Sequence, residues 1–430
     1  MSSVMEHAAG PPSATYAEPA NAETARLWAL YGGVVLMSLA VPAVKVPVGF
    51  DLRIGQLLMA GVFALVILRD LQRREVRWGA LLATVGGGLL LSGLSVLSAY
   101  PKVKELTFLV KYLVVFPTAF YLGRRLLALA GPRRTVLAVE LTLLGGCLLA
   151  IALYLHPVPL LVHERPAYLS VGLKGSFWEQ GELAFFAGLF TAASLGLRLE
   201  YRLRPRSLLP LAGLYGLALG CALASMNKTI WVALFGATLA AGLLYRSESR
   251  ANALLRRWSR YLIIAAVAGS VAIWAYNAWL PEADKLVTAH MLEHKWQAER
   301  GAALRIALDL IGDAPWLGHG FGFVEAYFGS YPSDVIGLGS GVAQLFNSYL
   351  DLWLSVGVPG LLYGFGLLGA AVSRRSLVAL LIVGYLFIFA NFNPVAQHEY
   401  YFLFLGIALA ASRGETRTGA LSQERPWTQS

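Results

Sequence analysis

The chain alternates long apolar runs with short polar connections. Runs near 27–44, 52–68, 78–98, 106–123, 135–155, 181–197, 207–224, 229–245, 261–280, 348–371, 376–392 and 400–412 stand out. Each approaches the ~20 residues that a helix needs to cross a bilayer, and there are about twelve of them. The third and fourth are divided only around Pro101 and Lys102. This pattern predicts an all-α, polytopic membrane protein with one membrane domain over 26–412. Residues 1–25 are polar, rich in Pro and Ala, and lack the basic start and short apolar core of a signal peptide. They read as a disordered cytoplasmic tail, and 413–430 as a second cytoplasmic tail.

Composition agrees with the pattern. Of 430 residues, 57% are hydrophobic and only 14% charged, where a soluble domain carries about a quarter of its residues as charges. A net charge of +10 would suit a nucleic-acid binder, but its distribution does not. Arg69, Arg73, Arg74 and Arg77 share one side with Arg124, Arg125, Arg133 and Arg134, with the Arg198–Arg206 and Arg246–Arg260 groups, and with Arg374, Arg375 and the terminal arginines. The positive-inside rule puts that side, and both termini, in the cytoplasm. The basic excess is therefore a topology signal, and no nucleic-acid partner is expected. Cys147 and Cys221 both fall inside apolar runs, so neither a disulfide framework nor a thiol metal site is implied.

Polar chemistry concentrates on the opposite, outer side. Every lysine lies outside the cytoplasmic segments: Lys45, Lys102, Lys104, Lys111, Lys174, Lys228, Lys285 and Lys295. So do all the histidines but His7. The largest outer segment is 281–347, between the ninth and tenth runs. Within it, 296–311 reads as a helix with Leu304, Ala307, Leu308 and Ile311 on one face, at ~100° per residue. Arg300 falls in the middle of that apolar face, where a guanidinium either snorkels to lipid phosphate or holds an anion. Arg305 lies off the face, four residues before Asp309, and pairs with it in the simplest reading.

Pro315 ends this helix. Gly318, Gly320 and Gly322 then predict a tight, flexible loop around His319, which serves either as a general base or as a packed loop residue. The glycine spacing is not a dinucleotide fingerprint. The tenth run opens with Asn347 or Ser348 as N-cap and Asp351 in its first turn. Its dipole faces the outer surface, a place for a diphosphate, although ordinary capping explains the same residues. Val356–Gly360, with Pro359, predicts a kink. Lys174 and Lys228 are point charges suited to phosphate, or plain loop lysines. Lys111 lies within an apolar run, where an ionisable group is a functional suspect.

Four local stretches resemble the O-antigen ligase / O-antigen polymerase (Wzy-like) superfamily. The first is 300–323, an arginine-led helix ending in a Pro–x–x–Gly–x–Gly turn. The second is AsnSerTyrLeuAspLeuTrpLeuSerValGlyValProGly, 347–360. The third is GlySerPheTrpGluGlnGlyGluLeuAla, 175–184, and the fourth is SerMetAsnLys, 225–228. The resemblance implies a GT-C-like glycosyltransferase of the bacterial inner membrane with a large periplasmic loop between helices nine and ten. Its donor would be an undecaprenyl-diphosphate-linked glycan, needing no cofactor, nucleotide sugar or metal. Its acceptor would be a lipid-linked repeat unit or lipid A–core, with membrane lipid around it and a flippase and chain-length regulator as partners.

Carried over residue by residue, Arg300 matches the family's diphosphate-holding arginine and Lys228 sits where a second is expected. Arg305, Lys174 and Asn347 complete the candidate diphosphate site. Phe346 stands where the family has the histidine that activates the acceptor, and Lys228 lacks a guanidinium's bidentate fork. Loss of a base slows such transfers by about 10²–10⁴-fold. The candidates to replace it are His319, Glu325, His398 and Glu399. The expected activity is polymerisation of a cell-surface or secreted polysaccharide, with ligation to lipid A–core as the alternative. A transporter or flippase of lipid-linked sugars is the reading from another class; it predicts internal symmetry and midplane charges, and the sequence shows little of either.

Overall fold

The computed structural model describes residues 22–42, 44–47, 51–98, 105–162, 173–177, 180–205, 207–225, 227–245, 301–330, 345 and 347–415. The predicted ninth span, 261–280, lies outside these residues, as do Arg300 and much of the predicted outer loop. The apolar runs that are described become helices. In chain order they are α1 (Ala22–Leu39), α2 (Ile54–Gln72), α3 (Trp78–Leu97), α4 (Glu105–Val110), α5 (Phe116–Ala130), α6 (Pro132–Leu155), α7 (Gln180–Glu200), α8 (Leu208–Ala224) and α9 (Thr229–Leu244). After them come α10 (Gly301–Asp313), α11 (Phe323–Ser330), α12 (Ser348–Ala371), α13 (Leu377–Ala390) and α14 (Glu399–Ser412). A π-helical turn, Lys111–Val115, joins α4 to α5 into one rod. Among the described residues, 6 spans are long and apolar enough to cross a membrane: α2, α3, the α4–α5 rod, α6, α7 and α12. The other apolar helices, α8, α9, α13 and α14, are shorter. This is a polytopic, helical membrane protein. The strands among the described residues form one small antiparallel hairpin, β1 (Lys45–Pro47) with β2 (Asp51–Arg53), between α1 and α2.

Lipid tails are as apolar as leucine, so the helices associate by close packing and polar contacts rather than by hydrophobic burial between themselves. The tightest pair is α5 with α14. A Cβ on Gly123 would sit 1.8 Å from the Leu403 carbonyl oxygen, and one on Gly406 2.1 Å from that of Phe120, so each helix presents a glycine to the other's backbone. Phe116, Phe186, Phe190 and Phe404 fill the centre around this pair. Leu65, Leu82, Leu141 and Leu362 remain exposed on the outside, as a lipid-facing wall requires.

The arginine-rich end differs from expectation. Arg124 and Arg125 are not solvated loop charges; they lie on α5, about 4% and 3% exposed. Arg125 donates to Asp70 at 2.7 Å and to Glu75 at 2.9 Å. Asp70, fully buried, also accepts from Arg69 at 2.9 Å and from the Tyr121 hydroxyl at 2.7 Å. Arg124 is held by Glu415, and Arg198 Nε by Glu140 at 2.5 Å. A guanidinium shielded from water needs a carboxylate, and each of these arginines has one. Burial opposes the charge of Glu75, but the guanidiniums of Arg125 and Arg69 outweigh it and hold the carboxyl below its ordinary value.

The helix predicted over 296–311 also departs in its register. The described helix, α10, buries Ala303, Ala307 and Ile311, while Leu308 is 50% exposed. The buried face thus runs at i, i+4, i+8 from Ala303, against Phe323, Phe328 and Leu354. Leu308 lies off it, so the apolar face read from the sequence is rotated from the one used.

A polar cluster at the loop end of the bundle

The site is built on a break in α12. Val356 (φ −138°, ψ 19°) and Gly357 (φ 67°, ψ −158°) leave helical geometry two residues before Pro359. Proline has no N–H, so the Ser355 carbonyl loses its helical donor. The Gly320 amide replaces it, donating to Ser355 O at 2.7 Å. The His319 amide donates to Leu354 O at 2.7 Å, and the Val358 amide turns to Pro315 O at 3.2 Å. The segment 315–320 is therefore docked into the broken helix. Gly318, Gly320 and Gly322 all have positive φ (66°, 100° and 83°), as the sequence implied for a tight turn. The expectation of a flexible loop is corrected by this docking. Ser98 Oγ further donates to His319 O at 2.6 Å and the Phe321 amide to Ser95 Oγ at 2.8 Å. The Phe321 ring then stacks on Phe108 and Tyr112, with centroids 5.6 and 4.7 Å away.

That stacking carries the loop to the π turn, where Lys111 sits with its ammonium 5.4 Å from the Phe108 ring. Such turns are often found at functional sites because they re-aim a side chain. The fields of Glu399, Glu325 and Glu182 reach Lys111, with Arg53 as the opposing cation. Glu399 opens α14; Gln56 donates to it, and Arg53 lies 3.9 Å from its other oxygen. His398, one residue earlier, places Nε2 3.5 Å from Glu182 at the start of α7. Burial pushes the His398 imidazole below its ordinary value, the Glu182 carboxylate resists without winning, and Arg53 adds to the depression. A neutral imidazole at physiological pH is able to accept a proton.

The same end continues through α12. Asn347 caps the helix, accepting from the Tyr349 and Leu350 amides at 2.9 and 3.1 Å, and donates to Asn391 O at 3.1 Å. Capping therefore occupies its carbonyl, which settles the choice between Asn347 and Ser348. Ser348 Oγ bridges the Asn393 carbonyl (2.8 Å) and the Ala396 amide (3.1 Å). One turn on, Asp351 is about 8% exposed and accepts from Gln397 Nε2 at 2.5 Å. Asn227, between α8 and α9, reaches Asn393 at 3.4 Å.

The candidate residues distribute as follows. Glu325, His398 and Glu399 belong to one electrostatic cluster around Lys111 and Arg53. His319 contributes mainly its backbone; its Nε2 lies 2.9 Å from Leu310 O and its ring stacks on Phe323, turned towards α10. The Leu173 amide, just before Lys174, donates to Ala224 O at 2.8 Å, which ties that loop to the C-terminal end of α8, ahead of Lys228. Lys228 is exposed at the start of α9. Arg305 is exposed on α10, away from the buried Ala303–Ala307 face. Arg300 lies outside the described residues. Sequence reasoning missed Arg53, Gln56, Glu182 and Gln397, and placed Asp351 in the first turn of the helix without a role in proton transfer. A basic residue at the lip of an apolar run, as Arg53 is, was the available signal. No group of metal-ligating side chains appears among the described residues.

No curated protein matches the chain in sequence. The O-antigen ligase family model (Wzy_C) matches residues 213–365, less than half of the chain, from α8 to within α12. That stretch carries Lys228, His319, Glu325, Asn347 and Asp351 of the polar end. Over this stretch the chain is similar to the O-antigen ligase family.

Proposed function

We propose that the protein is a glycosyltransferase of the bacterial inner membrane that polymerises a cell-surface or secreted polysaccharide. It transfers glycan from undecaprenyl diphosphate to a lipid-linked repeat unit on the periplasmic side, with both termini in the cytoplasm. The observation that carries this reading is the gathering of Arg53, Lys111, Glu182, His398 and Glu399 at the loop end of an apolar bundle. Charges in such a setting are costly and persist where they bind or react. The cations supply a place for a diphosphate leaving group, together with Arg300, Lys174, Lys228 and Arg305 from the loops and Asn347 at the α12 start. His319, Glu325, His398 and Glu399 remain the candidates for proton transfer named from the sequence; among them, His398 is kept neutral by its surroundings. A flippase and a chain-length regulator are the partners such a polymerase works with.

The ligase reading is favoured by the family description itself. Both are tested by reconstituting the purified chain with its lipid-linked glycan, with and without lipid A–core, and sizing the products. A ladder of polymer lost in Arg300→Ala is the expected result. Undiminished polymer length and yield in that variant would refute the diphosphate assignment. Product formed only on lipid A–core would make the protein a ligase. Flux of the lipid-linked sugar across the vesicle wall, without elongation, would make it a transporter.

A further inference from the structure

Asp351 is the buried acid that the preceding roles leave unused. It sits in the first turn of α12, at the positive end of the helix dipole, while Asn347 takes up the Tyr349 and Leu350 amides. Its carboxylate accepts from Gln397 at 2.5 Å and from Ser355 at 3.5 Å, both neutral donors. It also borders a narrow, partly open cavity of about 10 Å³, room for one water-sized group such as a hydroxyl, lined among others by Tyr112, Phe321, Ser348, Asp351, Ser355 and Gln397. Three of these side chains, Ser348, Ser355 and Asp351, are more than nine-tenths buried. The charged groups whose fields reach Asp351 are Glu325, from α11, and Lys111, from the π turn, and its own field reaches Tyr112.

The other acids at this end are differently placed. Glu399 is engaged by Arg53 and Gln56, and a carboxylate facing a guanidinium is a weaker base. Glu182 faces His398. The histidine expected just ahead of Asn347 is Phe346, and Asp351 stands five residues further on, on the helix that Asn347 caps. The docked 315–322 segment roofs the cavity through Phe321, so the space is shielded on that side.

We propose that this cavity receives the acceptor hydroxyl and that the Asp351 carboxylate takes its proton during glycosyl transfer. The inference rests on the glycosyltransferase reading above. The acceptor oxygen forms a bond to the anomeric carbon of the donor. The bond from that carbon to the diphosphate oxygen breaks, and its electron pair leaves on the diphosphate. The hydroxyl proton passes to a carboxylate oxygen of Asp351 and is then released to solvent through the open side. Carboxylates perform this service for hydroxyl and water nucleophiles in glycoside chemistry. Gln397 and Ser355 are positioning residues that orient the carboxylate.

The test uses full-length protein in proteoliposomes. The probe is the radiolabelled lipid-linked glycan that accumulates in cells lacking this protein. Transfer rate, retention of the probe and thermal unfolding are measured for the wild type, Asp351→Asn, Asp351→Glu and Gln397→Leu. Asp351→Asn is expected to lower kcat by about 10²–10⁴-fold with probe retention unchanged, and Asp351→Glu to recover part of it. Asp351→Asn within about threefold of the wild type overturns the inference and leaves the glycosyltransferase reading standing. A wild type that retains the probe but transfers nothing overturns both. If Asp351→Asn does not fold, Gln397→Leu decides. A fall in kcat of about five- to tenfold at constant retention supports the assignment, and an unchanged kcat overturns it.

Discussion

Replacing Gly357 by alanine tests whether segment 315–320 is locked into the broken helix. The backbone there, φ 67° and ψ −158°, is a region open essentially to glycine alone, costing other residues about 1–3 kcal/mol. The new methyl would also lie 2.1 Å from the Trp316 carbonyl oxygen, a backbone atom. Segment 315–320 must therefore retreat. It is held by His319 N–H to Leu354 O (2.7 Å), Gly320 N–H to Ser355 O (2.7 Å), Val358 N–H to Pro315 O (3.2 Å) and Trp353 Nε1–H to Pro315 O (2.9 Å). Losing two of these at about 1 kcal/mol each, on top of the backbone term, gives a total of about 3–5 kcal/mol. The assay is unfolding in detergent together with hydrogen exchange read on peptides covering 315–323. Those amides should exchange about 30-fold faster or more, since each 1.4 kcal/mol is about tenfold. Gly366→Ala, on the same helix with open space at its Cβ, is the control and should be neutral. A Gly357→Ala protein within about 0.5 kcal/mol of the wild type, with unchanged exchange, would refute the docked-loop account.

Two further outcomes follow from the ion pairs. Because burial depresses His398 below 6.5, the unfolded chain binds this proton more readily than the folded one. The stability it contributes is complete above pH 6.5 and falls as pH drops from there towards the depressed value; His398→Gln should abolish this slope in thermal melts, and an identical slope in the variant would contradict it. At the opposite end, Arg125→Ala strips one guanidinium from the fully buried Asp70 but leaves Arg69 at 2.9 Å. A loss of about 2–4 kcal/mol is expected, somewhat below that for a wholly orphaned buried charge; a loss under about 1 kcal/mol would mean that Asp70 is already solvated or protonated.

The apolar runs predicted the helices because each is long enough to satisfy its own backbone hydrogen bonds in a medium that offers none. That requirement is local, so sequence alone locates α2, α3, α6 and α12. The break in α12 was equally legible, since Pro359 lacks an N–H wherever it lies. The three glycines around His319 announced positive φ for the same local reason. What the sequence left hidden was the partner of each freed group. Leu354 O and Ser355 O are satisfied by amides some 35 residues earlier in the chain, and no spacing rule connects them. Arg124 and Arg125 resembled loop charges until α2 and the chain end supplied Asp70, Glu75 and Glu415. Likewise Arg53, Lys111, Glu182 and Glu399 come from four separate elements, and only the packing of helices far apart in the chain, such as α5 on α14 through Gly123 and Gly406, brings them to one end of the bundle. Helix formation is a one-dimensional property of length and apolarity, fixed by the order of residues. The meeting of charges is a three-dimensional one, decided by which helices are able to approach, and that depends on contacts between residues far apart in the chain.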